Sequence, residues 1–244
     1  MTIKRAAALL FLLVMPLGRP VSADDAGDRA RNELFAAVSS SLKDALKGDI
    51  GAKDKGYANF LLAAYTADPA YRDAAEGIFK KIEPPESAVY LGAIETLKAR
   101  DFGGGGLIQW IVNVTPAGFV RLYHSYKGIG IMDRAVTDNP ENLEIRIARA
   151  NVYYSMPKFF GKFDTGYDDI NTVLALMENG KAPIPACEKL FRDKSSVYFM
   201  AGLYAMEKGD LAKSLEIFGK SARSCESSPF AITARKIVES NPGK

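Results

Sequence analysis

Apolar positions in this chain recur every three and four residues over most of its length, the spacing of helices that bury one face. In residues 195–229, Val197, Met200, Ala201, Tyr204 and Ala205 form one such stripe, and Leu211, Leu215, Ile217 and Phe218 form a second after a break. Gly209 suits the left-handed turn that ends a helix, and Asp210 offers an oxygen to the free N–H groups opening the next. Helices joined by so short a turn run antiparallel.

The same spacing predicts elements along the rest of the chain. Leu34, Val38, Leu42, Ala45 and Leu46 predict a helix over 28–47, stopped by Gly48. Tyr57, Phe60, Leu61 and Ala64, then Ala74, Ala75, Ile78 and Phe79, predict a hairpin over 54–82, with Asp68-Pro69 capping and opening its second arm. Val89, Tyr90, Ile94 and Leu97 predict a helix over 86–100. From Pro116 a further helix is expected to bury Phe119, Leu122, Tyr123, Tyr126, Ile129, Met132 and Val136. Leu143, Ile145, Ile147, Ala150 and Tyr153 predict a helix over 141–154, and Tyr167, Ile170, Val173 and Met177 its partner over 164–178. Pro183-Ile184-Pro185 reads as a linker, and a last helix over 229–240 is expected to cover the open end of the array.

Residues 195–229 resemble one tetratricopeptide repeat. Tyr198 stands at its large aromatic position, Gly202 at the small residue of the helix crossing, Gly209-Asp210 at the turn, Ser214 and Ser221 at small positions and Phe218 at the large one. Ala205 and Glu226 depart from the pattern, and Pro229 closes the unit three residues late. The hairpin at 54–82, and Ala135 with Pro140, resemble more degenerate copies. The segment 156–161, Met-Pro-Lys-Phe-Phe-Gly, resembles a loop of secreted bacterial tetratricopeptide-like proteins. The resemblance implies an all-α fold of antiparallel hairpins stacked as a degenerate array, with a concave surface lined by the first helix of each pair. By helix position that surface would carry Tyr57, Asn59, Arg146, Asn151, Tyr154, Tyr198 and Tyr204. Cys187 precedes the first helix of the clearest hairpin and Cys225 follows the second, so the returning chain brings them near enough to bond.

Two irregular stretches interrupt the array. Residues 101–106 read Asp-Phe-Gly-Gly-Gly-Gly and lack the Lys and Ser/Thr of a phosphate-binding loop, so they read as a flexible connection. The apolar stretch 107–114 holds the single tryptophan, Trp110. In the loop at 155–164, Phe159, Phe160 and Phe163 either tuck back onto the array or stand out as a binding feature.

Residues 1–23 put Lys4 and Arg5 ahead of an apolar run and end on Val21-Ser22-Ala23, the form of a cleaved secretory leader. Residues 24–244 would then form a single helical domain in the periplasm or outside the cell, where a Cys187–Cys225 disulfide is favoured. The leader holds three basic residues (Lys4, Arg5, Arg19), so the formal charge of +3 falls to 3 − 3 = 0 without it. Nothing in that balance draws nucleic acid or an anionic membrane, and no span is expected after cleavage.

Candidate chemistry is sparse. His124 is the only histidine and the two cysteines are far apart in sequence, which provides no metal-ligand set and no cofactor motif. His124 reads as structural, and Phe119, Tyr123 and Tyr126 around it as core. The neighbouring carboxylates Asp168 and Asp169 point about 100° apart on a helix and do not converge on one substrate. The expectation is a non-catalytic protein that binds a protein or peptide partner in the cell envelope, as a scaffold, an assembly factor or a transporter-associated component. Trp110, Phe159 and Phe160 join the candidate binding residues. The alternatives are a small-molecule or lipid carrier with an apolar pocket near Trp110 and the Phe159 to Phe163 loop, and a hydrolase.

Overall fold

A computed structural model describes residues 25–102, 116–181 and 183–241. The expected leader at 1–23, the glycines at 103–106 and the stretch 107–114 with Trp110 lie outside the described residues. Among the described residues there are ten α-helices, one short 3-10 turn (Lys158–Phe160) and no strand. α1 spans Asp25–Lys47, α2 Ala52–Thr66, α3 Pro69–Phe79, α4 Glu86–Asp101 and α5 Pro116–Asp138. α6 spans Leu143–Ser155, α7 Phe163–Glu178, α8 Lys194–Glu207, α9 Leu211–Ser224 and α10 Pro229–Glu239.

Neighbours in sequence pack as hairpins: α2 with α3, α4 with α5, α6 with α7, and α8 with α9. The first arms touch in order, α2 to α4, α4 to α6, and α6 to α8, so they form a continuous inner row. The turns are built as their residues require. Asp68 accepts from the Ala70 N–H at 2.9 Å with Pro69 at the first helical position, and Asp210 accepts from Lys213 N–H at 3.1 Å after Gly209 at φ +86°. Asn142 and Asp193 cap α6 and α8 in the same way.

Small residues set the closest approaches. A Cβ on Gly202 would stand 2.8 Å from the Phe218 ring, so the α8–α9 crossing needs glycine there. Gly92 and Gly128 bring α4 and α5 backbone to backbone; a Cβ on either would meet the other's carbonyl oxygen within 3.0 Å. That contact fixes the rotation of α5 and corrects the expectation for its first half. Arg121 and Ser125 share the inner face with Ile129 and Met132, and Arg121 Nε donates to the Ala99 carbonyl at 2.9 Å. Phe119, Leu122, Tyr123 and Tyr126 point out instead, Phe119 being 73% exposed.

The last helix covers the end of the array and also meets the first. α10 packs on α9 and α8 and reaches α1, where Lys236 pairs with Glu33 at 2.9 Å. The helices thus close into a ring, a contact between first and last helix that the expected cover did not include. One buried apolar core runs through the described helices from Leu34 on α1 to Ala234 on α10. Cys187 and Cys225 form a disulfide, fastening the segment before α8 to the end of α9.

Candidate functional site

Inside the ring the side chains do not fill the space. A cavity of about 300 Å³ lies against the inner row, bounded by Tyr57 and Phe60 of α2, Tyr90 and Leu97 of α4, and Ile147 and Asn151 of α6. Val197, Phe199 and Leu203 of α8 continue the wall, and Leu34 of α1 and Phe230 of α10 complete it where the ring closes. Most of this surface is aliphatic or aromatic, because each first arm presents one apolar face to the core and a second to the interior of the ring.

The segment before α8 forms part of the wall, which a linker reading misses. Pro183, Ile184 and Pro185 line the cavity, followed by Phe191 and Arg192. Phe191 is held at φ +64°, a conformation costly for an aromatic residue, with its ring 5.6 Å from Phe230. The surrounding hydrogen bonds over-determine it. Glu188 accepts from the Leu190 and Arg192 N–H groups at 3.0 and 3.1 Å, Asp193 accepts from Glu188 N–H at 3.0 Å, and the disulfide at Cys187 anchors the start.

The charged groups on the wall are paired. Glu144 accepts from Lys53 Nζ at 2.7 Å and from the Tyr90 hydroxyl at 3.0 Å. Arg192 donates to Asp54 at 2.6 Å and lies over the Tyr57 ring, 5.1 Å from its centre. Burial pushes the phenols of Tyr57 and Tyr65 well above the ordinary tyrosine range, and for Tyr57 the nearby Tyr65 phenol adds to the effect.

The residues singled out from sequence divide sharply. Tyr57, Asn151 and Tyr154 do line the cavity. Asn59 bonds back to the Lys55 carbonyl at 2.7 Å, and Arg146 is engaged by Asp169 at 2.6 Å and by the Pro140 carbonyl at 2.6 Å. Tyr204 lies in the core, fully buried, donating to the Ala150 carbonyl at 2.7 Å beside Gly166, whose missing side chain makes room for it. Tyr198 packs against the core at its edge, away from the cavity wall. The phenylalanine loop splits: Phe159 is 69% exposed, Phe160 packs edge-on to Tyr126 at 5.4 Å, and Phe163 leans on Tyr204 at 5.0 Å. None of the three lines the cavity, and Trp110, the other part of the pocket expected from sequence, lies outside the described residues. Sequence reading missed Tyr65, Ile184 and Phe191; the first sits two turns from Tyr57 on the same face of α2, and that spacing could have found it.

Two further clusters are ion-pair networks. Glu95 on α4 accepts from His124 Nδ1 at 2.7 Å, Lys98 at 3.0 Å and Lys127 at 3.3 Å. Burial opposes its ionisation, but these three donors override it and hold the carboxyl at about 2. Asp133, Arg149, Asp169 and Lys162 tie α5, α6 and α7 together, and Asp168 points to solvent while Asp169 is buried. Among the described residues no group of three or more His, Cys, Asp or Glu side chains could hold a metal ion, and no helix is long and apolar enough to cross a membrane. Compared with known proteins, the chain matches no family model, no curated protein and no solved structure.

Proposed function

We propose that this chain is a non-catalytic binding protein, a degenerate tetratricopeptide-like array whose ring of helices holds a small apolar molecule. The unfilled cavity against the inner row carries this reading. Protein interiors pack with few voids larger than a water molecule, whereas small-molecule pockets begin at roughly 300 Å³ and are lined mainly by apolar and aromatic groups with a few polar ones. The cavity matches that description in size and lining. The leader at 1–23 and the Cys187–Cys225 bond together support a site of action in the cell envelope.

The test is a fluorescence titration of the full chain with N-phenyl-1-naphthylamine, a neutral apolar probe. Saturable binding of one probe per chain is expected, and Ala64→Trp, which adds an indole to the wall, should abolish it while circular dichroism stays helical. Absence of saturable binding, or binding untouched by Ala64→Trp, would contradict the reading.

The protein-partner reading has one observation in its favour. Phe119, Tyr123 and Tyr126 on α5, with Phe159 close by, leave large aromatic surfaces in water. Affinity enrichment from periplasmic extract should then recover an envelope protein with the native chain and lose it with Phe119→Ser plus Tyr123→Ser. Equal recovery by both would remove this second reading.

A further inference from the structure

The polar groups on the cavity wall separate into those already satisfied and those left over. The Thr96 hydroxyl donates to the Ala93 carbonyl at 2.7 Å, the Ser155 hydroxyl to the Asn151 carbonyl at 3.1 Å, the Ser196 hydroxyl to the Asp193 carbonyl at 2.9 Å, and the Tyr90 hydroxyl to Glu144. Glu144 and Arg192 are neutralised by Lys53 and Asp54. Three groups remain. The hydroxyls of Tyr57 and Tyr65 and the carboxamide of Asn151 have no hydrogen-bond partner among the described residues, although Tyr57 is only 8% exposed and all three residues line the cavity.

None of these three groups is sealed off, the one buried and unpartnered side-chain oxygen among the described residues being Ser228 Oγ, so each is open to a partner from a ligand or a water in the cavity. What remains on this wall is two O–H donors and an amide that both donates and accepts, with no uncompensated charge. An ionised carboxylate or ammonium placed there would lose its hydration and find no free counter-charge, whereas an uncharged oxygen would be fully served. Size limits the rest of the molecule. At roughly 30 Å³ for each water-sized group, a cavity of about 300 Å³ takes on the order of ten such groups.

Resting on the small-molecule reading above, we infer that the ligand is a medium-length amphiphile with an uncharged oxygen head, an alcohol or an ester, whose head is held by Tyr57, Tyr65 and Asn151 while its chain lies between Ile147, Val197 and Leu203. The hydroxyls donate to the head oxygen, and the Asn151 carboxamide oxygen accepts a ligand hydroxyl proton.

The test uses the full chain loaded with N-phenyl-1-naphthylamine and displaced by 1-decanol or by sodium decanoate at pH 8. 1-Decanol should displace the probe at a concentration at least about tenfold lower than decanoate. Tyr57→Phe with Tyr65→Phe should raise the 1-decanol requirement about fivefold or more relative to that for decanoate, each measured against the variant's own probe affinity, the worth of at least one neutral hydrogen bond. Tyr65→Phe alone, at a half-buried position, serves if the double variant does not fold, and should shift 1-decanol in the same direction. Saturable probe binding with decanoate equal to or better than 1-decanol, or with 1-decanol indifferent to the tyrosine variants, overturns the head-group inference and leaves the apolar site standing. No saturable probe binding by the native chain overturns both.

Discussion

Glu33 on α1 and Lys236 on α10 are 203 residues apart in sequence and meet at 2.9 Å, joining the first described helix to the last. Both side chains are more than half exposed, so the pair itself contributes at most about 1 kcal/mol. The closure is held by what lies beneath it: Leu34, Val38 and Leu42 on α1 are buried, and Leu34 shares the cavity wall with Phe230 of α10. Glu33→Ala should therefore leave the urea midpoint nearly unchanged, while Leu42→Ala, fully buried, should cost about 2–5 kcal/mol. Equal small effects would show that α1 does not pack as described.

Three glycines provide a paired test of the helix crossings. Gly202→Leu should drive its side chain into the Phe218 ring, and Gly128→Ala should meet the Gly92 carbonyl; each is expected to cost about 1–3 kcal/mol. Gly77 on α3 has open space around the position of its Cβ, so Gly77→Ala should stabilise by about 0.4–1 kcal/mol. Thermal denaturation ranks all three. A stabilising Gly128→Ala would refute the close approach of α4 and α5.

The disulfide closes a loop of 38 residues around α8 and α9. In the chain-entropy account that constrains the unfolded state by about 3–4 kcal/mol, so Cys187→Ser with Cys225→Ser should lose that much stability in denaturant. The same variant should loosen the wall at Phe191, which the bond anchors from Cys187, and probe affinity should fall with it. A double variant as stable as the native chain would show the bond absent or strained.

Acid should weaken the α4–α5 contact. Glu95 titrates near 2 in the folded chain and near 4.5 when unfolded, so its contribution is complete above about 4.5 and is lost as pH falls toward 2. Glu95→Gln should flatten the fall in stability across that window. It should not abolish it, since Glu76 and Asp133 are also held below the ordinary carboxylate range. An unchanged pH profile would contradict the role of the His124, Lys98 and Lys127 donors.

The helices and their pairing were legible because three-and-four spacing, Asp-Pro and Gly-Asp breaks and the cysteines flanking one hairpin are local signals. Tyr57, Asn151 and Tyr154 could be placed on the inner row from register alone. What escaped depended on distant contacts. The rotation of α5 follows from Gly92 meeting Gly128, two residues unremarkable in their own helices, and so Phe119 and Tyr123 turned outward against their hydrophobicity. Ring closure pairs α1 with α10, which no local pattern records. The wall formed by Ile184 and Phe191 follows from side-chain bonds of Glu188 and Asp193 within a loop that reads as irregular.

A crystal structure of the full chain grown with 10-bromo-1-decanol tests the central claim most directly, because anomalous scattering locates the bromine without ambiguity. The expected result is a bromine peak inside the ring on the α6–α8 side of the cavity, with the ligand oxygen within hydrogen-bond distance of the Tyr57 hydroxyl. Bromine peaks confined to the outer face of α5 around Phe119 and Tyr123, with no density in the cavity, would contradict it.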